Sequence, residues 1–180
     1  HRPRKIFRHK LGTKTKDDEL IFEEKSEAFT VGINLSAGEK YFFITTSDHN
    51  TSEQYFFPVN EQKPNPKLIK KRKKGIIYSL NSWDNYFYCH TNENAEDFKI
   101  ERCKDLLNQN WEIYIAPKNE VLIGGLTFLD NWVIRAEKSN ALGKLFVKNI
   151  NSEIEEELNF SDEQVTVSYT HLRAHETIAN

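Results

Sequence analysis

The side chains best suited to chemistry by type and spacing lie near the C-terminus. His171 and His175 are four residues apart and Glu176 follows them, a pattern that two zinc ligands on one helix would show. However, the eleven residues 167–177 match one reading frame of the transposase adapter used in DNA sequencing libraries. We therefore expect residues 167–180 to be a non-native, disordered tail, and the natural sequence to stop near Thr166.

Other candidate groups have weaker patterns. Ser36 lies in Asn34-Leu35-Ser36-Ala37-Gly38, which lacks the first glycine of a hydrolase nucleophile elbow and is interpreted as a hairpin turn. Cys89 and Cys103 have no metal-binding spacing and are expected to be buried or half-exposed thiols. The remaining histidines are scattered and expected to be structural: His9, His49 and His90. The sequence predicts no catalytic, cofactor-binding or metal-binding residue.

Two polar segments allow more than one interpretation. The basic run Lys70–Lys74 suits a nucleic-acid or targeting site, but with a formal net charge of -2 we interpret it as a solvated loop. The segment Asp48–Glu53 is polar and has three interpretations: it faces a central tunnel, it faces a partner domain, or it is a hairpin exposed to solvent. Aromatic residues that would suit stacking on bases are expected to be core instead: Tyr55, Phe56, Tyr86 and Trp132.

These residues sit on a repeating pattern of about 45 residues, which indicates a repeat architecture. Equivalent aromatic positions are Tyr41, Tyr86 and Trp132. A second set of equivalent apolar positions comprises Leu68, Ile113 and Leu158. Four strands are predicted in each of three repeats. In the first repeat they lie at 29–33, 41–44, 54–57 and 67–70, and in the second at 75–79, 86–89, 98–101 and 111–115. In the third repeat they lie at 121–126, 132–135, 143–147 and 156–160.

Four short strands rich in aromatic and β-branched residues, joined by Gly, Asn and Asp turns, are typical of a β-propeller blade. The segments Lys5–His9 and Glu19–Glu23 are predicted to be the last two strands of an earlier blade. The fold class is therefore all-β, a partial β-propeller of about three and a half four-stranded antiparallel blades. The blades are expected at residues 1–27 (half a blade), 28–74, 75–119 and 120–166, as part of a larger protein.

Composition excludes some function classes. The 180 residues are 29% charged and 12% aromatic, as in a globular β protein, and the acidic and basic residues nearly balance. The sequence contains no apolar run long enough to predict a transmembrane helix. We therefore expect neither nucleic acid nor a membrane as a partner.

Several short segments of the sequence resemble, in the same order along the chain, segments of the propeller domain in the oligopeptidase B branch of the prolyl oligopeptidase family of serine peptidases. The resemblance covers residues 4–166 and is carried by Phe7–Thr13, Glu19–Lys25, Thr51–Glu53, Arg72 and Lys73, Thr91 and Asn92, Asp97–Ile100, and Glu137–Asn140. The sequence departs from the family pattern at Ala141, where a glycine is usual, and at Ala95 and Glu96.

The resemblance implies a seven-bladed propeller that caps a C-terminal α/β-hydrolase domain of the same chain. It implies a cofactor-free cytoplasmic enzyme that cleaves short peptides after Arg or Lys, with the propeller excluding large folded proteins. The catalytic triad would lie in the hydrolase domain, so this segment by itself would be inert. High Lys, Asn, Ile and Phe usage suggests a bacterial source.

Two alternatives stay open. The chain is a non-catalytic propeller scaffold that binds proteins or peptides, or it belongs to the prolyl-specific or acylaminoacyl branch of the same family. Sequence beyond Thr166 discriminates the scaffold from a peptidase, because only a peptidase needs a nucleophile elbow followed by Asp and His.

Overall fold

A computed structural model describes residues 2–159 as four antiparallel sheets that follow one another along the chain. The half-sheet contains β1 (Lys5–Arg8) and β2 (Glu19–Glu23), with a short 3₁₀ helix at Thr15–Asp17 between them. The first sheet contains β3 (Thr30–Leu35), β4 (Tyr41–Ser47), β5 (Ser52–Pro58) and β6 (Lys67–Lys70). The second contains β7 (Tyr78–Trp83), β8 (Tyr86–Thr91), β9 (Lys99–Cys103) and β10 (Glu112–Ile115), and the third β11 (Leu122–Leu129), β12 (Trp132–Ser139), β13 (Leu142–Asn149) and β14 (Glu155–Glu157).

Each complete sheet is an up-and-down meander in which hydrogen-bonded neighbours are also sequence neighbours. Residues 2–159 thus form half a blade and three full blades, which confirms the predicted partial β-propeller. The predicted tail, with His171 and His175, lies outside the described residues. Among the described residues, none forms a helix long and apolar enough to cross a membrane.

Three apolar clusters lie between successive sheets, and they explain why central strands are apolar on both faces. On β4, Phe43 contributes to the cluster shared with the second sheet, whereas Ile44 contributes to the cluster shared with the half-sheet. Tyr88 and Phe128 belong to the third cluster, between the second and third sheets. Alternate side chains of a strand point to opposite faces, so each central strand helps to bind two neighbouring sheets together.

The first set of repeat positions is confirmed, because β4, β8 and β12 begin at Tyr41, Tyr86 and Trp132. The second set is wrong by one residue in the third sheet. Strand pairing aligns Glu156 with Glu112 and Lys67, so Leu158 corresponds to Tyr114 and Ile69 rather than to Ile113 and Leu68. The reason is that the connection between β13 and β14 is shorter than the corresponding connection of the second sheet.

The predicted strand at residues 75–79 is also misplaced, because β7 begins at Tyr78. Gly75 has a φ of 80°, and the backbone N–H of Ile76 donates to the carbonyl of Lys73 at 3.0 Å. These residues form a turn that a non-glycine residue would adopt only with strain. The apolar run of Ile76 and Ile77 therefore belongs to the connection between sheets.

The hairpin between β12 and β13 shows which backbone conformation Ala141 adopts, at the position where the resemblance leads us to expect a glycine. Asn140 and Ala141 connect the paired residues Ser139 and Leu142, and their φ angles are 50° and 64°. Two-residue hairpin turns with positive φ at both positions favour Asn followed by Gly, because a Cβ atom disfavours this conformation. A glycine at position 141 would adopt this conformation without that cost.

We therefore expect Ala141→Gly to raise the free energy of unfolding by about 1 kcal/mol, since it removes the cost of a left-handed alanine. Urea unfolding monitored by tryptophan fluorescence measures the change. Gly143→Ala is the control, because Gly143 lies just beyond the turn, within β13. An unchanged or lowered stability for Ala141→Gly would contradict this account.

Candidate functional site

The chemistry-bearing residues of the sequence are kept apart by the fold. Ser36 is 3% exposed, its Oγ accepts a hydrogen bond from the Tyr41 N–H at 3.2 Å, and its own N–H donates to the Tyr41 carbonyl at 2.8 Å. This geometry confirms Ser36 as a turn residue. Within residues 2–159 no group of three or more His, Cys, Asp and Glu side chains is arranged to hold a metal ion.

The three histidines occupy separate places. His90 stacks on Phe98 with ring centroids 4.6 Å apart, and its Nε2 is 2.8 Å from the Ile123 carbonyl oxygen. Burial lowers the pKa of His90, so the ring is neutral at physiological pH. His9 hydrogen bonds to Asp18, and His49 is exposed on the β4–β5 turn. A structural role for His90 is thus confirmed by its contacts.

Cys89 and Cys103 are both buried free thiols, as predicted. Burial raises the pKa of Cys89 to about 12 and that of Cys103 to about 11. The thiolate is the reactive form of cysteine, so neither side chain is suited to nucleophilic chemistry at neutral pH. They serve as small apolar residues in the cluster between the first and second sheets.

The basic run is only in part the solvated loop that we predicted. Lys71, Lys73 and Lys74 are exposed, but Lys70 ends β6 and Arg72 points into the structure. Its guanidinium donates to Glu24 at 2.6 Å and to Glu53 at 3.1 Å, and it lies 4.1 Å from the centroid of the Phe29 ring. Glu24 follows the half-sheet, whereas Glu53 lies on β5 of the first sheet. We call Glu24, Glu53 and Arg72 the Arg72 clamp, since one cation joins two sheets.

Both carboxylates of the Arg72 clamp are buried, with 6% of Glu24 and 4% of Glu53 exposed. Glu53 also accepts hydrogen bonds from the Arg72 backbone N–H and the Tyr55 hydroxyl, each at 2.8 Å. Burial and this contact with Glu53 raise the pKa of Tyr55 to about 12. Two buried carboxylates share one arginine, so loss of the cation would leave both uncompensated.

We expect the Arg72 clamp to make the chain sensitive to acid. Burial opposes ionisation of Glu24, but hydrogen bonds from the Ser26 N–H and Arg72 outweigh it and hold the pKa of Glu24 below its usual value of 4.5. A lowered folded-state pKa stabilises the fold above the unfolded pKa, and this stability is lost as pH falls through the folded one. Urea midpoints should fall as the pH drops below 4.5, and less steeply for Glu24→Gln; parallel pH profiles would contradict the prediction.

The first and second sheets are joined by a polar zipper, made of the following contacts. The Ser52 N–H donates to the Ile76 carbonyl at 3.0 Å, and the Ser52 Oγ lies within 2.8 Å of both the carbonyl oxygen and the N–H of Tyr78. The Gln54 Oε1 accepts from the Leu80 N–H at 2.8 Å. Thr51–Glu53 are buried, so the second half of the predicted polar hairpin does not face solvent. Ser52 contacts the next sheet, whereas Glu53 belongs to the Arg72 clamp.

Among residues 2–159, no further sheet packs against the face of the third sheet that points away from the second. A groove of about 370 Å³ on this face is lined by Trp132, Val147, Asn149, Ser152, Ile154, Glu156 and Leu158. Trp132 is 45% exposed, although its counterpart Tyr41 packs against Phe87 of the next sheet with ring centroids 5.0 Å apart. The core prediction therefore holds for buried Phe56 but is wrong for Trp132, whose face has no sheet against it among residues 2–159.

We expect chain 1–180 to self-associate through such uncovered apolar faces, because Trp132, Ile154 and Leu158 form one exposed patch. Sedimentation velocity over a wide concentration range should show the weight-average mass rising with concentration. Trp132→Arg should reduce this rise, whereas Leu11→Arg, on the exposed β1–β2 loop, should not. A concentration-independent monomer would contradict the prediction.

The sheet order, the apolar clusters between sheets and the open last face are those of a propeller segment. The sequence profile of the family described as "Prolyl oligopeptidase, N-terminal beta-propeller domain" matches residues 1–177. The chain belongs to this family. The match extends beyond Thr166, and the predicted boundary of a non-native tail there remains a prediction.

Two curated relatives are similar in sequence to about four fifths of this chain. Protease 2 of Moraxella lacunata is 32% identical over 148 residues, which are 81% of this chain and 21% of the relative. Dipeptidyl aminopeptidase BI of Pseudoxanthomonas mexicana is 26% identical over 147 residues, 80% of this chain and 20% of the relative. The chain thus spans about a fifth of the length of these curated relatives.

Solved structures agree in fold. Oligopeptidase B from Trypanosoma brucei, in a closed form with covalently bound antipain, superposes with a TM-score of 0.81 at 18% identity, over 89% of this chain and 24% of that one. Oligopeptidase B from Leishmania major gives a TM-score of 0.80 at 16% identity, with the same coverage of each chain. The prolyl oligopeptidase propeller segment described here thus corresponds to about a quarter of each complete enzyme.

Proposed function

We propose that the chain is the substrate-gating propeller segment of an oligopeptidase B-like serine endopeptidase that cleaves short peptides after Arg or Lys in the cytoplasm. The observation that carries the proposal is the 32% identity to Protease 2 across sheets arranged as in two oligopeptidase B structures. The catalytic Ser, Asp and His are proposed to lie in a C-terminal α/β-hydrolase domain of the parent chain, and the segment itself to be inert.

The physical basis of gating is access. Sheets that contact only their neighbours curve around a central space, and the loops at one end of the stack offer a surface on which another domain can dock. Such a cap admits short peptides and excludes folded proteins, and covering a hydrolase face also excludes water. The junctions among the half-sheet, the first sheet and the second sheet, with the Arg72 clamp and the polar zipper, would supply the rigidity that a size filter needs.

The first experiment is to assemble the source DNA past the codon for Thr166, with adapter sequence removed, and translate it. A Gly-x-Ser-x-Gly elbow followed by Asp and then His would support the peptidase. Further propeller repeats without that elbow would overturn it in favour of the non-catalytic scaffold that binds proteins or peptides.

Substrate class is tested on the complete protein with matched short amide substrates. Hydrolysis after Arg and Lys, with little hydrolysis after Pro or of blocked N-terminal residues, supports the oligopeptidase B branch. Preference for Pro or for acylated N-termini would assign the chain to another branch of the family. For gating, the same cleavage sequence should be cut in a short peptide and spared within a folded protein.

A further inference from the structure

The junction between the second and third sheets differs in chemistry from the junctions before it. Towards the second sheet, β12 presents Val133, Arg135 and Glu137, all of which are buried. At the same positions of the repeat, β4 presents Phe42, Ile44 and Thr46, and β8 presents Phe87, Cys89 and Thr91. An apolar residue and a threonine are thus replaced by a charged pair in the third sheet only.

The charged pair finds its partners within its own sheet. Arg135 donates to Glu137 and, at 2.8 Å, to the Oε1 of Glu155. Its guanidinium lies 4.4 Å from the centroid of the Phe146 ring on β13. Lys118, in the connection between β10 and β11, donates to Glu137 at 2.6 Å. These interactions would survive if the third sheet moved away from the second.

The bonds that cross this junction are few and close together. Among residues 2–159, the hydrogen bonds between the second and third sheets centre on Ile123, whose N–H donates to the Asp97 carbonyl at 2.9 Å and whose carbonyl oxygen is 2.8 Å from the His90 Nε2. Strand pairing places Ile100 at the position of Gln54, so the side chain that bridges to the next sheet in the polar zipper is replaced by an apolar one.

We propose that the third sheet opens from the second as a unit, hinged at the connection 116–121, while the half-sheet, first sheet and second sheet stay together. Opening at this junction exposes apolar surface but leaves Arg135 and Glu137 paired. Opening at the preceding junction would also break the hydrogen bonds that Gln54, Ser52 and the Tyr78 hydroxyl make across it. Each hydrogen bond that must be broken adds to the cost of opening, so the junction after β10 is the weaker one.

Hydrogen exchange of the full chain, measured by mass spectrometry, tests the proposal. The double substitution Arg135→Ile and Glu137→Thr installs the residues that the first sheet carries at these positions, and apolar replacement of a buried ion pair is often stabilising. We expect exchange of the Ile123 backbone amide, whose acceptor Asp97 lies across the junction, to slow about tenfold while exchange in β3–β6 stays unchanged. Unchanged or faster exchange of the Ile123 amide would overturn the proposal.

Two single substitutions separate a weak junction from a merely weak sheet. Glu137→Gln keeps the side-chain shape and should speed exchange in the third sheet alone, because the ion pairs are internal to it. Gln54→Leu removes a bridge of the polar zipper and should speed exchange in the first and second sheets together. If Glu137→Gln instead speeds exchange in the second sheet as well, the charged pair holds the junction closed and the proposal is wrong.

Discussion

Arg72→Met should lower the free energy of unfolding by about 2–3 kcal/mol. Methionine keeps an unbranched apolar side chain at this position but removes the guanidinium that lies over Phe29 and pairs with Glu24 and Glu53. Breaking a buried ion pair costs about 3–5 kcal/mol because it leaves an uncompensated charge. We place the value lower because the Arg72 side chain is 28% exposed and water can partly replace it.

The control for Arg72→Met lies in the same basic run. Lys71 is exposed, so Lys71→Met should leave the urea midpoint unchanged, although it removes the same charge. Arg72→Lys should recover part of the stability, because an ammonium group is a point charge that cannot fork between two carboxylates as a guanidinium does. Equal effects of Arg72→Met and Lys71→Met would show that Arg72 acts only through net charge.

Tyr78→Phe should cost about 3 kcal/mol, an unusually large effect for the loss of one oxygen atom. The Tyr78 hydroxyl donates to the Lys70 carbonyl at 2.5 Å and accepts from the N–H groups of Gln54 at 2.9 Å and Lys70 at 3.2 Å. These backbone groups lie where the pairing of β5 with β6 is irregular. Phenylalanine would leave them buried without a partner, at about 1–3 kcal/mol for each group.

The readout for Tyr78→Phe combines stability with local exchange. The backbone N–H of Gln54 should exchange faster with solvent, because its acceptor, the Tyr78 hydroxyl, is removed. Tyr86→Phe is the matched control, since Tyr86 is half-buried and its hydroxyl makes none of the hydrogen bonds found within residues 2–159. A Tyr78→Phe protein as stable as the Tyr86→Phe protein would show that the hydroxyl does not hold the irregular pairing together.

Much of the architecture followed from local pattern. An aromatic residue begins the second strand of each complete sheet, at Tyr41, Tyr86 and Trp132. The sequence shows this spacing because each repeat must present the same apolar faces to its neighbours. The pattern of apolar residues predicts the ends of strands less exactly, where the chain enters turns and connections. Gly75 turned out to belong to a turn rather than to β7, since a positive φ angle is not visible in the polarity of the surrounding residues.

The polar features were not predictable in this way, because each depends on which residues the tertiary structure brings together. Arg72 looked like any other member of a basic run, and only the packing of the half-sheet against the first sheet places it between Glu24 and Glu53. The Tyr78 hydroxyl likewise gains its role from an irregular strand pair in a neighbouring sheet. Periodicity along a chain reports burial within one repeat, whereas the Arg72 clamp and the polar zipper join residues of different repeats, whose distances only the folded arrangement of sheets decides.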